Sequence, residues 1–157
     1  MTKKTSERHG EILNEYMSGN SVFHSWAEHN LGKFELTDWS FGQLSMRWDI
    51  DDRFIMPDGA MFGGHVSSVA DHVMGLLSMS VLEGNEDRFV TSRLEVNFFR
   101  PVQKPLALIE ARATNTSRTL IHGEADFLTP ERKLSARVYA TQVRRQANGT
   151  DKLLKAT

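Results

Sequence analysis

The stretch from Met56 to Gly75, MPDGAMFGGHVSSVADHVMG, holds the residue types best suited to chemistry. It begins with turn formers, passes the pair Gly63 and Gly64, and continues into a helical pattern of apolar residues. Backbone N–H groups at a helix start lack intrahelical acceptors and lie at the positive end of the helix dipole. A glycine at this point lets an oxygen atom approach the backbone closely.

The helical pattern is interrupted by one acid, Asp71, eight residues after Gly63. Burying a carboxylate on an apolar helix is costly unless the group has a partner. We therefore favour a functional acid over a solvated or arginine-paired one. The separation is a little over two helical turns, and we expect Asp71 to reach a group held at the helix start.

Composition places the chain among ordinary globular proteins and removes several classes of function. Its 157 residues suit one domain, with 39% hydrophobic and 25% charged residues. A formal net charge of -1 gives no general attraction to nucleic acid or to an acidic membrane. The absence of cysteine excludes disulfides, thiolate catalysis and cysteine-bound metal, and it fits a cytoplasmic location. No apolar run is long enough to predict a membrane span.

Periodicity divides the chain into a helical N-terminal region and a strand-rich body. Helical patterns over 6–17 and 22–29 predict an extension, residues 1–32, that packs on the body. The body, residues 33–147, has two strand patterns, a helix over about 65–82, and four more strand patterns. Residues 148–157 are predicted to be a flexible tail.

This order predicts an α+β fold in which about six antiparallel strands curl around one long central helix. The helix is apolar around most of its circumference, which is typical of a wrapped helix. The apolar positions predicted to face it are Leu44, Met46, Trp48, Ile50, Leu94, Val96, Phe98, Ala107, Ile109, Ala111, Ala113, Ile121, Gly123, Ala125, Phe127, Leu134, Ala136, Val138 and Ala140.

The chain resembles the hotdog fold and, more narrowly, the PaaI-like acyl-CoA thioesterases. The resemblance covers roughly Lys33 to Arg145 and rests on Gly59, Gly63, Gly64, Asp71 with Met74 and Gly75 after it, and the strand ending NFFRP. It implies an acyl-thioester hydrolase without a metal or separate cofactor, coenzyme A being part of the substrate. It also implies a homodimer or a dimer of dimers, with each site between protomers.

In the implied mechanism the Gly63 N–H polarises the thioester carbonyl, and Asp71 acts as general base or nucleophile. A hydroxyl on the strand after the helix positions the attacking water. Matching to the family places Thr91 there, whereas strict alternation favours Ser92 unless the strand has a bulge. Gly59 and Gly64 would line the substrate site, and Arg118 matches a basic position near the coenzyme A phosphates.

Two positions depart from the family pattern. Met56 stands at its asparagine position and Phe62 at its histidine position, and neither can supply the polar contact. Met56 and Phe62 either line an acyl pocket or indicate a weakly active acyl-CoA or acyl-ligand binding protein. His65 is a possible substitute for the missing imidazole, although its side chain should point elsewhere. A hotdog dehydratase or hydratase is a weaker alternative, because Phe62 replaces the candidate histidine.

A second polar set, His122, Glu124 and Asp126, is reminiscent of a metal cluster. These residues alternate with the apolar ones of the same strand, so we expect a solvated outer face instead.

Overall fold

The computed structural model describes residues 2–145. The predicted tail, residues 148–157, and the last two residues of the predicted body lie outside them. The helical extension consists of α1 (Glu7–Met17) and α2 (Val22–Asn30). Ser6 and Ser21 cap these helices by accepting from His9 N–H and His24 N–H.

The body contains one long helix and a six-stranded sheet. The elements in chain order are β1 (Lys33–Ser40), β2 (Gln43–Asp49), a 3-10 turn (Asp52–Phe54), α3 (Gly63–Ser80), β3 (Arg88–Phe98), β4 (Leu106–Thr116), β5 (Leu120–Leu128) and β6 (Leu134–Arg145). The sheet order is β1-β2-β4-β5-β6-β3, and every neighbouring pair is antiparallel. The predicted α+β fold, a curled sheet around one helix, is confirmed. None of the described helices has the length and apolarity needed to cross a membrane.

Alternation places the predicted apolar sets on the face of the sheet toward α3. In β2, β4, β5 and β6 nearly all of them are buried, and Trp48 and Phe127 are completely enclosed. The set in β3 is different: Leu94 and Val96 are half-buried and Phe98 is exposed. Since β3 ends the sheet, no further strand covers that side.

The long helix α3 is wrapped on most sides but not on all. Val66, Val69, Ala70, Val73 and Leu77 are buried. Gly64, Ser68 and Asp71 form an exposed stripe, which we call the open stripe of α3. The helix is therefore apolar over most of its circumference, as predicted, and it presents small and polar residues along this stripe.

Close packing on the opposite side fixes α3 against the sheet. Gly123 of β5 lies so near the helix that a Cβ atom there would stand 2.7 Å from both Leu77 Cδ2 and Met74 Cε. The extension holds the far end of α3: Ser6 N–H donates to Leu82 O at 2.8 Å, and Thr5 Oγ1 donates to Ser80 O at 2.6 Å. The open stripe is thus the side of α3 left accessible in a single chain.

Candidate active site

The side chains of Asp71 and Thr91 meet beside the open stripe of α3. Thr91 Oγ1 donates a 2.8 Å hydrogen bond to Asp71 Oδ1, across 20 residues of sequence. Both residues are exposed. The pair is therefore a carboxylate, held by a hydroxyl, that a ligand can reach.

A β-bulge in β3 decides which hydroxyl reaches Asp71. Leu94 faces the helix, and unbroken alternation from it would turn Ser92 inward. The register with β6 shifts between Thr91 and Arg93, so Ser92 is the extra residue and Thr91 lies opposite the inward-facing Gln142. The sequence pattern allowed Thr91 to face the helix only if the strand has a bulge, and β3 has one. The hydroxyl that bonds Asp71 is therefore that of Thr91 and not that of Ser92.

Gly63 is the first residue of α3 and follows Phe62, which makes no side-chain cap. The Gly63 N–H has no intrahelical acceptor and lies at the positive end of the dipole. A Cβ atom on Gly63 would stand 3.5 Å from the Phe98 ring, an ordinary contact distance. Gly63 lines a cleft of about 330 Å³, with Met61, Val66, Phe98, Phe99 and Val102 among its other walls. Its lining is largely apolar, as an acyl group requires.

The other residues predicted near the helix start lie in the preceding turn or on the outer side of α3. Met56 N–H donates to Ala60 O and Gly59 N–H donates to Met56 O, at 2.8 and 2.9 Å. Gly59 has a φ of 87°, which glycine adopts without strain. The Phe62 ring is 59% exposed and lies over Gly64, where a Cβ atom would approach it to 2.6 Å. Within residues 2–145, the side chain of Asp71 is hydrogen-bonded by Thr91 and not by Met56, Gly59, Phe62 or Gly64.

Arg118 lies in the turn between β4 and β5, toward the other end of α3. With Lys3 and Arg144 it lines a cleft of about 610 Å³ that also includes Asn85. Arg144 is paired with Asp87 at 2.9 Å. Within residues 2–145, no carboxylate forms an ion pair with Lys3 or Arg118. Lys3 Nζ donates to Thr116 Oγ1 at 3.2 Å, and Glu83 and Glu86 line the same cleft. Within residues 2–145, Arg118 is therefore the cation of this cleft with no described hydrogen-bond or ion-pair partner.

His65 is held away from Asp71. Its Nε2 atom lies 2.9 Å from Leu31 O, and its ring stacks on Phe54 with centroids 3.6 Å apart. Burial lowers the pKa of His65. The His65 ring therefore contacts the end of α2 and the loop before α3, and it does not replace the imidazole missing at Phe62.

His72 joins the extension to α3 beside Asp71, a contact that sequence reasoning missed. Its Nε2 atom lies 2.8 Å from Tyr16 Oη, 56 positions earlier. Burial is the main cause that lowers the pKa of His72 to about 4; Asp71 opposes the shift, and His24 adds a smaller lowering effect that this value includes. Burial also raises the pKa of Tyr16. Both rings are therefore uncharged at neutral pH.

The second polar set lies on the outer face of the sheet, as predicted. His122 Nδ1 lies 3.1 Å from Thr141 Oγ1, Glu124 pairs with Arg112, and Asp126 pairs with Arg137. In the part of the chain that the structure describes, no group of three or more metal-ligating side chains is gathered.

The model of the thioesterase superfamily matches residues 58–136, half of the chain, and the protein belongs to that superfamily. The matched range contains Gly59, Gly63, Asp71 and Thr91. A protein of Saccharolobus solfataricus named as an esterase is 29% identical over 86 residues, which are 55% of this chain and 60% of that protein. The chain thus spans less than two thirds of this curated relative.

Solved structures share the fold. A phenylacetic acid degradation-related protein of Ralstonia eutropha has a TM-score of 0.71 and 25% identity, covering 84% of this chain and 98% of that one. A thioesterase-type protein of Streptococcus pneumoniae, solved with coenzyme A, has a TM-score of 0.71 and 17% identity. It covers 78% of this chain and 94% of that one. The predicted resemblance to PaaI-like hotdog proteins is confirmed.

The half-buried His72 predicts a specific loss of stability in mild acid. In the unfolded chain His72 takes up a proton near its ordinary pKa of 6.5, whereas in the fold its pKa is about 4. Its contribution is constant above pH 6.5, and the free energy of unfolding falls as the pH drops toward 4, by on the order of 3 kcal/mol.

Urea unfolding of His72→Gln across this pH range measures that loss. We expect a flatter pH dependence than in the wild type. The matched control is His29→Gln, which replaces an exposed histidine of α2 and should leave the wild-type slope unchanged. An identical slope in His72→Gln would contradict the assignment.

Proposed function

We propose that this protein hydrolyses acyl-CoA thioesters, with the carbonyl oxygen held by the Gly63 N–H and the carbon attacked with the help of Asp71. The observation that carries the proposal is the 2.8 Å hydrogen bond from Thr91 Oγ1 to Asp71 Oδ1. It holds a carboxylate on the accessible side of the central helix in a chain of the thioesterase superfamily. We place the enzyme in the cytoplasm because a chain without cysteine needs no oxidising compartment.

The chemistry follows from these groups. As general base, Asp71 takes a proton from water while the water oxygen attacks the carbonyl carbon; as nucleophile, its own oxygen attacks first. Negative charge then develops on the carbonyl oxygen and is stabilised by the N–H at the positive helix end. Collapse breaks the C–S bond. In the general-base route the proton taken by Asp71 passes to the leaving thiolate; in the nucleophile route the thiolate takes a proton from solvent, and water then hydrolyses the acyl-aspartyl anhydride. The Thr91 hydroxyl positions the carboxylate and the water in the general-base route.

A single chain does not bring Gly63 and Asp71 to the same carbonyl. Eight residues of α-helix rise about 12 Å, and a side chain leaning toward the N-terminus shortens this by only a few ångströms. Hydrogen bonds to one reacting group require about 3 Å. Because α3 is continuous from Gly63 to Ser80, the expectation that Asp71 reaches a carbonyl at its own helix start is wrong.

In a dimer, Gly63 of one chain and Asp71 of the other can lie close enough to act on one carbonyl. We place Gly63 of one protomer beside Asp71 of its partner, with the two α3 helices antiparallel about a two-fold axis near Ser67 and Ser68. The small side chains of Ser67 and Ser68 let the two helices approach at this axis. The sheet edge at β3 supports the same arrangement, because an unpaired edge strand invites pairing with another chain. Val90, Phe98 and Phe99 are exposed beside it.

The proposed coenzyme A contacts lie at the opposite end of the site. Thr119, next to Arg118, accepts from Arg144 N–H, two residues beyond the partner of Thr91 in β6. The Thr91 and Thr119 backbones are therefore roughly 10 Å apart across the strands and 7 Å along them. An extended pantetheine arm spans this distance, so Arg118 and Lys3 can meet the phosphates. The coenzyme A in the Streptococcus pneumoniae neighbour favours this class of substrate.

A second candidate is an acyl-ligand binding protein with little turnover. Met56 and Phe62 favour it, because they leave the family's asparagine and histidine positions without polar groups. Such a protein would be stabilised against heat by acyl-CoA in a dose-dependent way but would release no thiol.

Replacing Gly63 by proline tests the oxyanion donor. Proline removes the N–H but suits the first position of a helix, and Phe62, with φ of -60° and ψ of 125°, already has the conformation required before proline. We expect Gly63→Pro to lower kcat for acyl-CoA hydrolysis roughly a hundredfold to a thousandfold. Free-thiol release measures the rate. Gly63→Ala retains the N–H, fits beside Phe98 and should lose much less; equal activity of all three proteins would contradict the role.

If each active site takes Gly63 from one chain and Asp71 from another, the protein must be an oligomer. Light scattering should give the mass of two or four copies, and Ser68→Glu should shift the protein toward single copies by placing a charge at the helix contact. Ser40→Glu, an exposed control at the end of β1, should leave the mass unchanged. A wild-type protein with the mass of one copy would contradict the shared site.

A further inference from the structure

Gln142 is a buried polar residue on the inner face of β6. The preceding inward residues of this strand, Ala136, Val138 and Ala140, are apolar and buried. Gln142 continues their alternation and is only 1% exposed. An amide in such a place is costly unless it forms hydrogen bonds. If the period-two alternation of Ala136, Val138 and Ala140 is extended by one step, it predicts that Gln142 faces inward.

The side chain of Gln142 contacts Thr91, one member of the candidate catalytic pair Asp71 and Thr91. Gln142 is the strand partner of Thr91, and its Nε2 atom donates to Thr91 Oγ1 at 3.5 Å. Thr91 Oγ1 in turn donates to Asp71 Oδ1 at 2.8 Å. The first bond is long, and such bonds commonly tighten when substrate occupies the site. The three residues form one directed chain of hydrogen bonds that ends on the carboxylate.

We propose that Gln142 is a positioning residue that directs the Thr91 hydroxyl proton toward Asp71. The inference rests on the proposed function, in which Asp71 and Thr91 act on the thioester. A hydroxyl has one proton and two lone pairs, whereas the amide nitrogen only donates. With the Gln142 amide on one lone pair, the Thr91 proton points to Asp71 and the second lone pair can accept from the attacking water.

Loss of the amide frees the hydroxyl to rotate. Its proton is then no longer held on the carboxylate, and the pair is less well ordered in the transition state. Substrate binding depends on other contacts, namely the cleft beside Gly63 and the cations near Arg118. The effect of Gln142 therefore falls on kcat rather than on KM.

The test uses Gln142→Met, which keeps an unbranched side chain of similar length but has no donor. We expect kcat for acyl-CoA hydrolysis to fall roughly tenfold with KM unchanged. Gln142→Leu is a second variant that should behave alike. Val138→Ala is the matched control, because it alters the same face of β6 without touching Thr91; it should lower thermal stability but leave kcat near the wild-type value.

A double-mutant cycle separates positioning from simple packing. In a Thr91→Ala background the Gln142→Met change should have no further effect on kcat, because the hydroxyl that it directs is gone. A wild-type kcat in Gln142→Met, or an equal loss in both backgrounds, would overturn the proposal. Asp71→Asn separates failure of this proposal from failure of the proposed function: if Asp71→Asn abolishes thiol release while Gln142→Met keeps the wild-type kcat, only the role of Gln142 fails. If Asp71→Asn retains full activity, the proposed function itself fails.

Discussion

The packing of β3 along the open stripe of α3 is the constraint on which the candidate site depends. Phe98 lies over Gly63, Thr91 bonds Asp71, and Phe89 lies 3.6 Å from where a Gly75 Cβ would be. These contacts belong to one strand face only because the bulge at Ser92 restores the alternation. Without the extra residue, the hydroxyl at position 91 would turn away from the carboxylate.

The same constraint explains why the site is open in a single chain. β3 is the last strand of the sheet, so its inner face and the stripe it borders have no further cover. Helix geometry then separates Gly63 from Asp71 by about 12 Å, too far for both to act on one carbonyl. In the proposed dimer, a second copy of the chain would cover the stripe, pair with the edge strand and bring Gly63 and Asp71 to one site.

Alternation predicted most of this fold, because each strand of the body buries one face against a single helix. Where that assumption fails, prediction from sequence fails too. Alternation alone favoured Ser92 over Thr91, since a bulge leaves no sign in the residue pattern. Asp71 was expected among apolar neighbours but lies on the uncovered stripe. Tyr16 and His72 meet through the packing of distant elements, which local periodicity does not encode.

The central claim is that Gly63 of one protomer and Asp71 of its partner act on the same thioester. Mixing Gly63→Pro with Asp71→Asn, each inactive alone, tests it most directly. Random exchange makes half of the dimers mixed, and each mixed dimer has one site with both groups intact, so we predict about a quarter of the wild-type thiol release. No recovery of activity in mixtures shown to contain mixed dimers would contradict the account.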